Sequence, residues 1–196
     1  EKVIFPSEEK NPVEFLSLTY SMPEWIIKDW LKEYDYKTVK GILETTFQIK
    51  KTTIRCNLDK VSPDELKRML ENEKVTVEPG SYLPYAFHIE NYNYLNDIEP
   101  FQKGYFQVQD ESSMLVGAIS GIKEGDCVID VCAAPGGKSL HGAELLHSTG
   151  QVSSRDVTDY KVNLILDNIK RLGYTNISAK VQDALILDEE SLEKAD

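Results

Sequence analysis

The sequence predicts an α/β fold, in which part of an open parallel sheet at residues 105–196 follows a small α+β module at residues 21–104. The stretch VIDVCAAPGGKS at residues 128–139 has the pattern of a buried strand, a glycine turn and the start of a helix. Two more strands are expected at residues 151–156 and 177–183, with an apolar-periodic helix between them that has Gly173 as its candidate C-cap. Each of the three strands ends in an acid, and these acids are Asp130, Asp156 and Asp183.

The N-terminal stretch at residues 1–20 is expected to be a linker or the tail of an upstream domain. Pro6 and Pro12 interrupt its mixed pattern of polar and apolar residues. Ser21 is a candidate helix N-cap, because Pro23 would lie early in the first turn and Glu24 follows three residues later. A helix is therefore expected to begin at Ser21, and a second helix to follow it.

The α+β module is predicted from short strand-like runs that flank one helix. Strands are expected at residues 52–58, 75–77 and 85–89. Between the first two, the run Ser62-Pro63-Asp64-Glu65 is expected to open a helix that continues through Leu70. Residues 100–104, which begin with proline and end with glycine, are the expected boundary of the module.

The turn after the strand at residues 128–130 is the candidate ligand site. In open α/β sheets, ligands bind beyond the carboxyl ends of the strands. Glycines let the backbone approach a ligand closely, and the first N–H groups of the following helix face the turn. The turn residues are Cys132, Ala133, Ala134, Pro135, Gly136, Gly137 and Lys138.

Two phosphate-binding templates fit this turn poorly. The P-loop pattern G-x-x-x-x-G-K-[ST] matches at its last three positions but has Cys132 where its first glycine is required. Pro135 also removes a backbone N–H that would bind phosphate. The pattern G-x-G-x-x-G fails because Gly136 and Gly137 are adjacent. The turn therefore favours a nucleoside-like ligand, and a P-loop-like nucleotide hydrolase is the weaker alternative.

Asp156 is the candidate partner of a ribose. It lies about 20 residues past Gly136, which is the usual spacing between a glycine turn and the acid that binds the ribose. A carboxylate accepts hydrogen bonds from both hydroxyls of a ribose. The spacing therefore predicts that Asp156 binds the sugar of the ligand.

The turn resembles the cofactor loop of Rossmann-type S-adenosylmethionine-dependent methyltransferases. It most closely resembles the RNA 5-methylcytosine branch, whose loop reads CAAPGGK, as residues 132–138 do. The runs FQVQDESS at 106–113 and NIKRLG at 168–173 also resemble that branch. The runs SMPEW at 21–25 and IRCN at 54–57 resemble bacterial small-subunit ribosomal RNA methyltransferases B.

The resemblance implies methyl transfer from S-adenosylmethionine to C5 of a cytosine in 16S ribosomal RNA. This chain would supply cofactor binding and part of RNA recognition, the latter through an RNA-recognition-motif-like module at residues 21–104. The turn residues Cys132 to Lys138 would hold the cofactor, with Asp156 on the ribose and Asp183 near the adenine. Lys138 would neutralise the methionyl carboxylate or cap the loop, and Asp130 would lie near the methionyl amine or hold the turn.

The resemblance also implies that the chain is a piece of a longer enzyme. In the family, a cysteine thiolate attacks C6 of the cytosine; one cysteine belongs to a D-x-P-C motif on the next strand, and a second lies on a later strand. Neither the D-x-P-C motif nor the later cysteine occurs in this sequence. We therefore expect no catalytic residue in this chain and no activity from it alone. Cys132 is expected to belong to the cofactor loop, and Cys127 to the core.

The charge of the chain opposes RNA binding. Its net charge is −11, whereas nucleic-acid binders usually present a basic face. Lys50, Lys51 and Arg55 are a candidate basic stripe, or simply a solvated charged face. A non-catalytic RNA-binding module is thus a second alternative, which the absent cysteine motifs favour and the acidity opposes.

The cysteines, the apolar runs and the histidines give further expectations about the protein. Three cysteines form no disulfide framework and favour a reducing cytoplasm. Cys127 and Cys132 have too few partner ligands for zinc, so no metal is expected. No apolar run approaches 18 residues, so no membrane span is expected, and we expect a monomer. The three histidines are expected on the surface or on helix faces; they are His88, His141 and His147.

Overall fold

The computed structural model describes residues 5–48 and 51–196. The chain forms two compact units, residues 1–50 and residues 51–196. In the part of the chain that the structure describes, no helix is both long and apolar enough to cross a membrane.

Within its described residues, 5–48, the first unit contains three helices. They are α1 (Pro12–Tyr20), α2 (Glu24–Glu33) and α3 (Tyr36–Thr45). Their shared core consists of fully buried Leu16, Ile27, Val39 and Leu43. Helix α1 lies within the stretch where we expected a linker or a tail, and residues 1–4 of that stretch lie outside the described residues.

The predicted helix start at Ser21 is wrong. Ser21 adopts a left-handed φ of 50° and is the C-cap of α1, with its N–H donated to the carbonyl of Ser17. Helix α2 begins at Glu24 without a side-chain cap. The short link between the two helices lets Leu16 and Ile27 share one core, which a single longer helix could not do.

The second unit begins with an antiparallel sheet. Its elements are β1 (Thr52–Cys56), α4 (Pro63–Asn72), β2 (Thr76–Pro79), β3 (Ala86–Glu90), a 3₁₀ turn (Leu95–Asp97), α5 (Glu99–Gln102) and β4 (Phe106–Val108). The strand order is β2-β3-β1-β4, and Ile54 of β1 lies opposite both Phe87 and Val108. Helix α4 begins where the sequence predicts, and Ser62 and Glu65 exchange both hydrogen bonds of a capping box.

A parallel sheet follows in the same unit. Its elements are α6 (Glu111–Ile119), β5 (Cys127–Asp130), α7 (Gly137–Leu145), β6 (Gln151–Asp156), α8 (Asp159–Leu172), β7 (Ile177–Val181) and a 3₁₀ turn (Glu189–Ser191). The three predicted strands pair in parallel, in the order β5-β6-β7. Gly173 ends α8 with a φ of 79°, which confirms the predicted C-cap. Parallel strands with helical crossovers bring all three carboxyl ends to one edge.

Contacts between the two sheets cross the boundary expected at residues 100–104. Strand β4 lies beyond that boundary and pairs with β1. Arg171 of α8 donates hydrogen bonds of 3.0 Å to the carbonyls of Phe101 and Phe106, and its guanidinium lies 4.0 Å from the centre of the Phe101 ring. The antiparallel sheet is therefore packed onto the helices of the parallel one.

Candidate ligand-binding site

The turn between β5 and α7 is held in a tight conformation by its own backbone. The N–H of Gly136 donates to the carbonyl of Ala133 at 2.6 Å, and Gly136 has a φ of 105° at the start of α7. The N–H of Ala133 donates to the carbonyl of Arg155 at 2.9 Å, which ties the turn to β6. The first turn of α7 therefore directs its free N–H groups toward the edge where the strands end.

Asp130 holds the turn from the end of β5. Its carboxylate accepts a hydrogen bond of 2.6 Å from the hydroxyl of Ser139 and one of 3.2 Å from the N–H of Cys132. Asp130 therefore holds the turn, and its role near the methionyl amine stays a prediction.

Asp156 is buried and connects three neighbours. It accepts hydrogen bonds from the N–H groups of Ala134 at 3.0 Å and Val157 at 2.8 Å, and forms an ion pair of 3.1 Å with Lys161. The bond from Ala134 is the main cause that holds the pKa of this carboxyl below its ordinary value of 3.8. Burial acts in the opposite direction, and Val157 and Lys161 lower the pKa further. Asp156 is therefore an anion that fixes the turn.

A cavity of about 160 Å³ lies against the turn. Six of the seven predicted turn residues line it, and these are Cys132, Ala133, Ala134, Pro135, Gly137 and Lys138. The opposite wall comes from the end of β4 and the start of α6, including Gln109, Asp110 and Ser113. Asp183 lines a different cavity of about 260 Å³ at the end of β7, and Asp156 lines neither of the two.

The two glycines of the turn differ in what surrounds them. A Cβ on Gly136 would lie 3.2 Å from Leu140 Cδ1 and 3.4 Å from Ile165 Cγ2, so this position faces the core. A Cβ on Gly137 would lie 3.7 Å from the side chain of Gln109, in the cavity wall. The absent side chain of Gly136 therefore leaves room for Leu140 and Ile165, and a close approach of its backbone to a ligand stays a prediction.

The sequence did not reveal what supports the turn from behind. Asn168 of α8 donates to the carbonyl of Pro135 at 3.1 Å. Gln109 accepts a hydrogen bond of 2.8 Å from Nε of Arg55, whose guanidinium also pairs with Glu144 of α7. These residues lie in runs that the sequence singles out: Asn168 in NIKRLG, Arg55 in IRCN and Gln109 just before α6. Local patterns do not show which distant partner each side chain contacts.

The basic stripe proposed from Lys50, Lys51 and Arg55 is not formed by the described residues. Arg55 is only 1% exposed and ion-paired, so its assignment to a charged surface is wrong. Lys51 pairs with Glu78 at 2.6 Å and Glu90 at 2.7 Å. Lys50 lies outside the described residues. Arg55 faces inward because strand alternation places it against α7 rather than solvent.

His141 lies on a helix face, one of the two kinds of position expected for the histidines, and this face is buried. It is 2% exposed in α7 and packs edge-on against Tyr85, with ring centroids 5.7 Å apart. Burial disfavours its charged form, and the nearby Arg55 adds to this effect, so that the pKa of His141 falls to about 3. His147 is exposed, and His88 is partly exposed beside Thr53.

The three cysteines occupy different environments. Cys56 is fully buried, and burial raises the pKa of its thiol to about 12. Cys132 is exposed at the cavity, and Cys127 is partly buried. Within residues 5–48 and 51–196, no three side chains of the His, Cys, Asp and Glu types are grouped as a metal site would require.

Two families match the chain in consecutive segments. Residues 22–94 match the family described as an RsmF/B-like methyltransferase ferredoxin-like domain. Residues 119–196 match the family described as 16S rRNA methyltransferase RsmB/F. The second match contains the turn, Asp156 and Asp183, and the first contains most of the antiparallel sheet.

Curated relatives show the same similarity in sequence. A probable ribosomal RNA small subunit methyltransferase B of Bacillus subtilis is 37% identical over 175 residues, covering 89% of this chain and 39% of the relative. A tRNA (cytosine(72)-C(5))-methyltransferase of Pyrococcus horikoshii is 39% identical over 90 residues, covering 46% of this chain and 23% of the relative. The chain thus spans about two-fifths of the length of the first of these relatives.

Solved structures confirm the predicted fold class. The crystal structure of PH0851 superposes with a TM-score of 0.82 at 27% identity, covering 92% of this chain and 41% of that one. A methyltransferase homologue from Pyrococcus horikoshii superposes with a TM-score of 0.75 at 22% identity, covering 87% and 56%. An α+β module followed by part of a methyltransferase sheet is therefore the fold of this chain.

Proposed function

Because the chain belongs to the RsmB/F family of ribosomal RNA methyltransferases, we propose that it binds S-adenosylmethionine at the turn Cys132–Lys138. We further propose that the whole protein transfers the methyl group to C5 of a cytosine in 16S ribosomal RNA. Residues 21–104 would contribute to the RNA platform, and residues 105–196 would hold the cofactor.

The observation that carries this proposal is the cavity formed by six of the seven turn residues. Its floor is the first turn of α7, where free N–H groups favour an anionic or electron-rich ligand group. Lys138 is on its wall and exposed, so its ammonium is free to neutralise a methionyl carboxylate. The missing P-loop glycine and Pro135 argue against a triphosphate.

The carboxylate of Asp156 has limited capacity for a ribose. An ionised carboxylate offers about four acceptor positions, and Ala134, Val157 and Lys161 already occupy three of them. We propose that the remaining position accepts one ribose hydroxyl. Asp183 accepts a hydrogen bond of 2.9 Å from the N–H of Leu185, which fixes its carboxylate at the end of β7, and we assign it to the adenine.

Methylation of C5 requires a thiolate that attacks C6 of the cytosine, so that C5 becomes nucleophilic enough to take the sulfonium methyl. We assign this thiolate to none of the three cysteines of the chain. Cys56 is buried with a raised pKa, and Cys127 is partly buried at the start of a strand. Cys132 belongs to the cofactor turn. All three are free thiols, which supports a reducing cytoplasm as the site of action.

The test is isothermal titration calorimetry of the 196-residue chain with S-adenosylhomocysteine and, separately, with ATP. We expect S-adenosylhomocysteine to bind more tightly than ATP in the presence and absence of magnesium. The comparison between the two ligands is decisive because it does not depend on the absolute affinity of the chain. Tight binding of ATP without a response to S-adenosylhomocysteine would support a nucleotide hydrolase instead.

A further inference from the structure

Gln109 forms part of the wall of the cofactor cavity, and its amide has a fixed orientation. The side chain is 6% exposed, and its oxygen accepts a hydrogen bond of 2.8 Å from Nε of Arg55. Arginine only donates hydrogen bonds, so the oxygen of the amide must face Arg55 and the nitrogen must face away from it. The orientation of Gln109 is therefore set by Arg55.

The amide nitrogen of Gln109 is buried and has no hydrogen-bond partner among the residues that the structure describes. It lies 3.9 Å from the position that a Cβ on Gly137 would take, at the first residue of α7. Buried donors are nearly always paired in native proteins, and an unpaired one is unfavourable. An unpaired donor in a cavity wall points to an acceptor on the ligand.

Arg55 is itself held in one position. Its guanidinium forms a buried ion pair with Glu144 of α7. The carboxylate of Glu144 also accepts hydrogen bonds of 3.1 Å from the N–H of Leu58 and from the hydroxyl of Tyr174. With these contacts, the guanidinium cannot turn away from Gln109 without leaving a charge unpaired in the interior.

We propose that Arg55 is a positioning residue for the cofactor: it holds the amide of Gln109 so that the free N–H group donates a hydrogen bond to an oxygen of the bound ligand. The inference rests on the proposed function, since it takes S-adenosylmethionine to be that ligand. It gives the antiparallel sheet a role in cofactor affinity, although Arg55 itself does not line the cavity.

Two variants test the proposal by calorimetry with S-adenosylhomocysteine. Gln109→Glu keeps an oxygen for Arg55 and replaces the free donor by an acceptor of the same size. We expect its affinity to fall about tenfold, as loss of one hydrogen bond to a charged or polar group implies, with no loss of thermal stability. Arg55→Lys keeps a cation for Glu144 but loses the directed bond to Gln109, and a similar fall is expected.

Asn176→Ala is the matched control. It removes a buried hydrogen bond of 2.9 Å to the carbonyl of Ala143 in α7 and leaves Arg55, Glu144 and Gln109 in place, so it should lower the melting temperature without changing the affinity. Equal affinities for the wild type and Gln109→Glu would overturn the proposal, even if Arg55→Lys fails to fold. A loss of affinity in Asn176→Ala equal to that in Arg55→Lys would also overturn it, because affinity would then follow stability.

The side-chain amide signals of Gln109 in ¹⁵N-correlated NMR spectra separate this proposal from the proposed function. In the free wild type, we expect slow solvent exchange and amide shifts displaced from those of exposed glutamines, and Arg55→Lys should speed the exchange and move the shifts toward the exposed values. Unchanged signals in Arg55→Lys would overturn the positioning role, whether or not the ligand binds. Absence of any S-adenosylhomocysteine binding by the wild type would contradict the proposed function, and the amide signals would still decide whether Arg55 orients Gln109.

Discussion

Arg55 on strand β1 and Glu144 on helix α7 form a buried ion pair that joins the antiparallel sheet to the helix that follows the turn. The two side chains are 1% and 5% exposed. Such pairs stabilise a structure only weakly compared with apolar packing, but the loss of one partner is costly because the other charge stays buried. The pair therefore makes the position of one sheet relative to the other strongly dependent on two side chains.

Removal of one partner of this pair should destabilise the second unit. We expect Glu144→Leu to lower the free energy of unfolding by about 3–5 kcal/mol, because it leaves the Arg55 guanidinium unpaired. The double variant Arg55→Met with Glu144→Leu should recover most of the loss. Urea unfolding followed by circular dichroism measures both. Glu24→Ala, which breaks an exposed pair with Lys28, is the control and should change stability by less than about 0.5 kcal/mol.

The two glycines of the turn should respond differently to substitution by alanine. Gly137→Ala should weaken S-adenosylhomocysteine binding about five- to tenfold, because its Cβ would enter the cavity wall beside Gln109. Gly136→Ala should instead lower the free energy of unfolding by about 1–3 kcal/mol, because its φ of 105° is strained for other residues.

Gly142→Ala in the same helix is the control for helix propensity, since its Cβ would make ordinary contacts at 3.5 Å with Ile122. It should bind the ligand as the wild type does. Weaker binding in Gly142→Ala than in Gly137→Ala would show that the helix, and not the cavity wall, sets the affinity.

Asp156 should contribute directly to cofactor affinity. Asp156→Ala should weaken binding of S-adenosylhomocysteine by about 1–3 kcal/mol, through loss of a charged acceptor for the ribose and of the bond that holds Ala134. Calorimetry measures the change. Asp159→Ala, at an exposed position in the first turn of α8, should leave the affinity unchanged. Wild-type affinity in Asp156→Ala would exclude Asp156 from the site.

His141 should make stability depend on pH between neutrality and mild acid. Its folded pKa is about 3, below the ordinary value of 6.5, so in this range the unfolded chain binds a proton that the folded chain does not. The stability that depends on neutral His141 is fully present above the unfolded pKa. It is lost as the pH falls from there toward 3, and the free energy of unfolding then decreases by up to about 1.4 kcal/mol per pH unit.

Urea unfolding at pH 7.5 and pH 5.0 tests this dependence, at values where most carboxylates remain ionised. His141→Gln should show a smaller difference between the two conditions than the wild type. His147→Gln, at an exposed histidine, should behave like the wild type. An identical pH dependence in His141→Gln would show that other groups cause it.

Cys132 should be the thiol that reports on the occupied cavity. In the native chain, iodoacetamide should modify Cys132 first, because it is exposed at the cavity, and should leave buried Cys56 unmodified. S-adenosylhomocysteine should slow the modification of Cys132 and not that of Cys127. Mass spectrometry of tryptic peptides measures both rates. Modification of Cys132 that the ligand does not affect would place the cofactor elsewhere.

Local patterns predicted the parallel strands, the helix start after Ser62 and the C-cap at Gly173, because each depends on residues close together in the chain. The role of Ser21 was mistaken because one residue served equally well as a cap for the preceding or the following helix. The surroundings of Gly136 and His141 depend on side chains from other elements, which the sequence order does not reveal. The same holds for Arg55, whose charge suggested a surface and whose partner lies 89 residues away.

The 89 residues between Arg55 and Glu144 also affect folding during protein synthesis. Ribosomes add about 5–20 residues per second, so strand β1 emerges several seconds before the helix that carries Glu144. Until then, the Arg55 guanidinium can bond to water and to Gln109 but lacks its carboxylate partner, and the face of the antiparallel sheet around it must stay hydrated. The nascent N-terminal sheet should therefore remain sensitive to proteases until residue 144 has left the ribosomal tunnel, and then become protected in a single step.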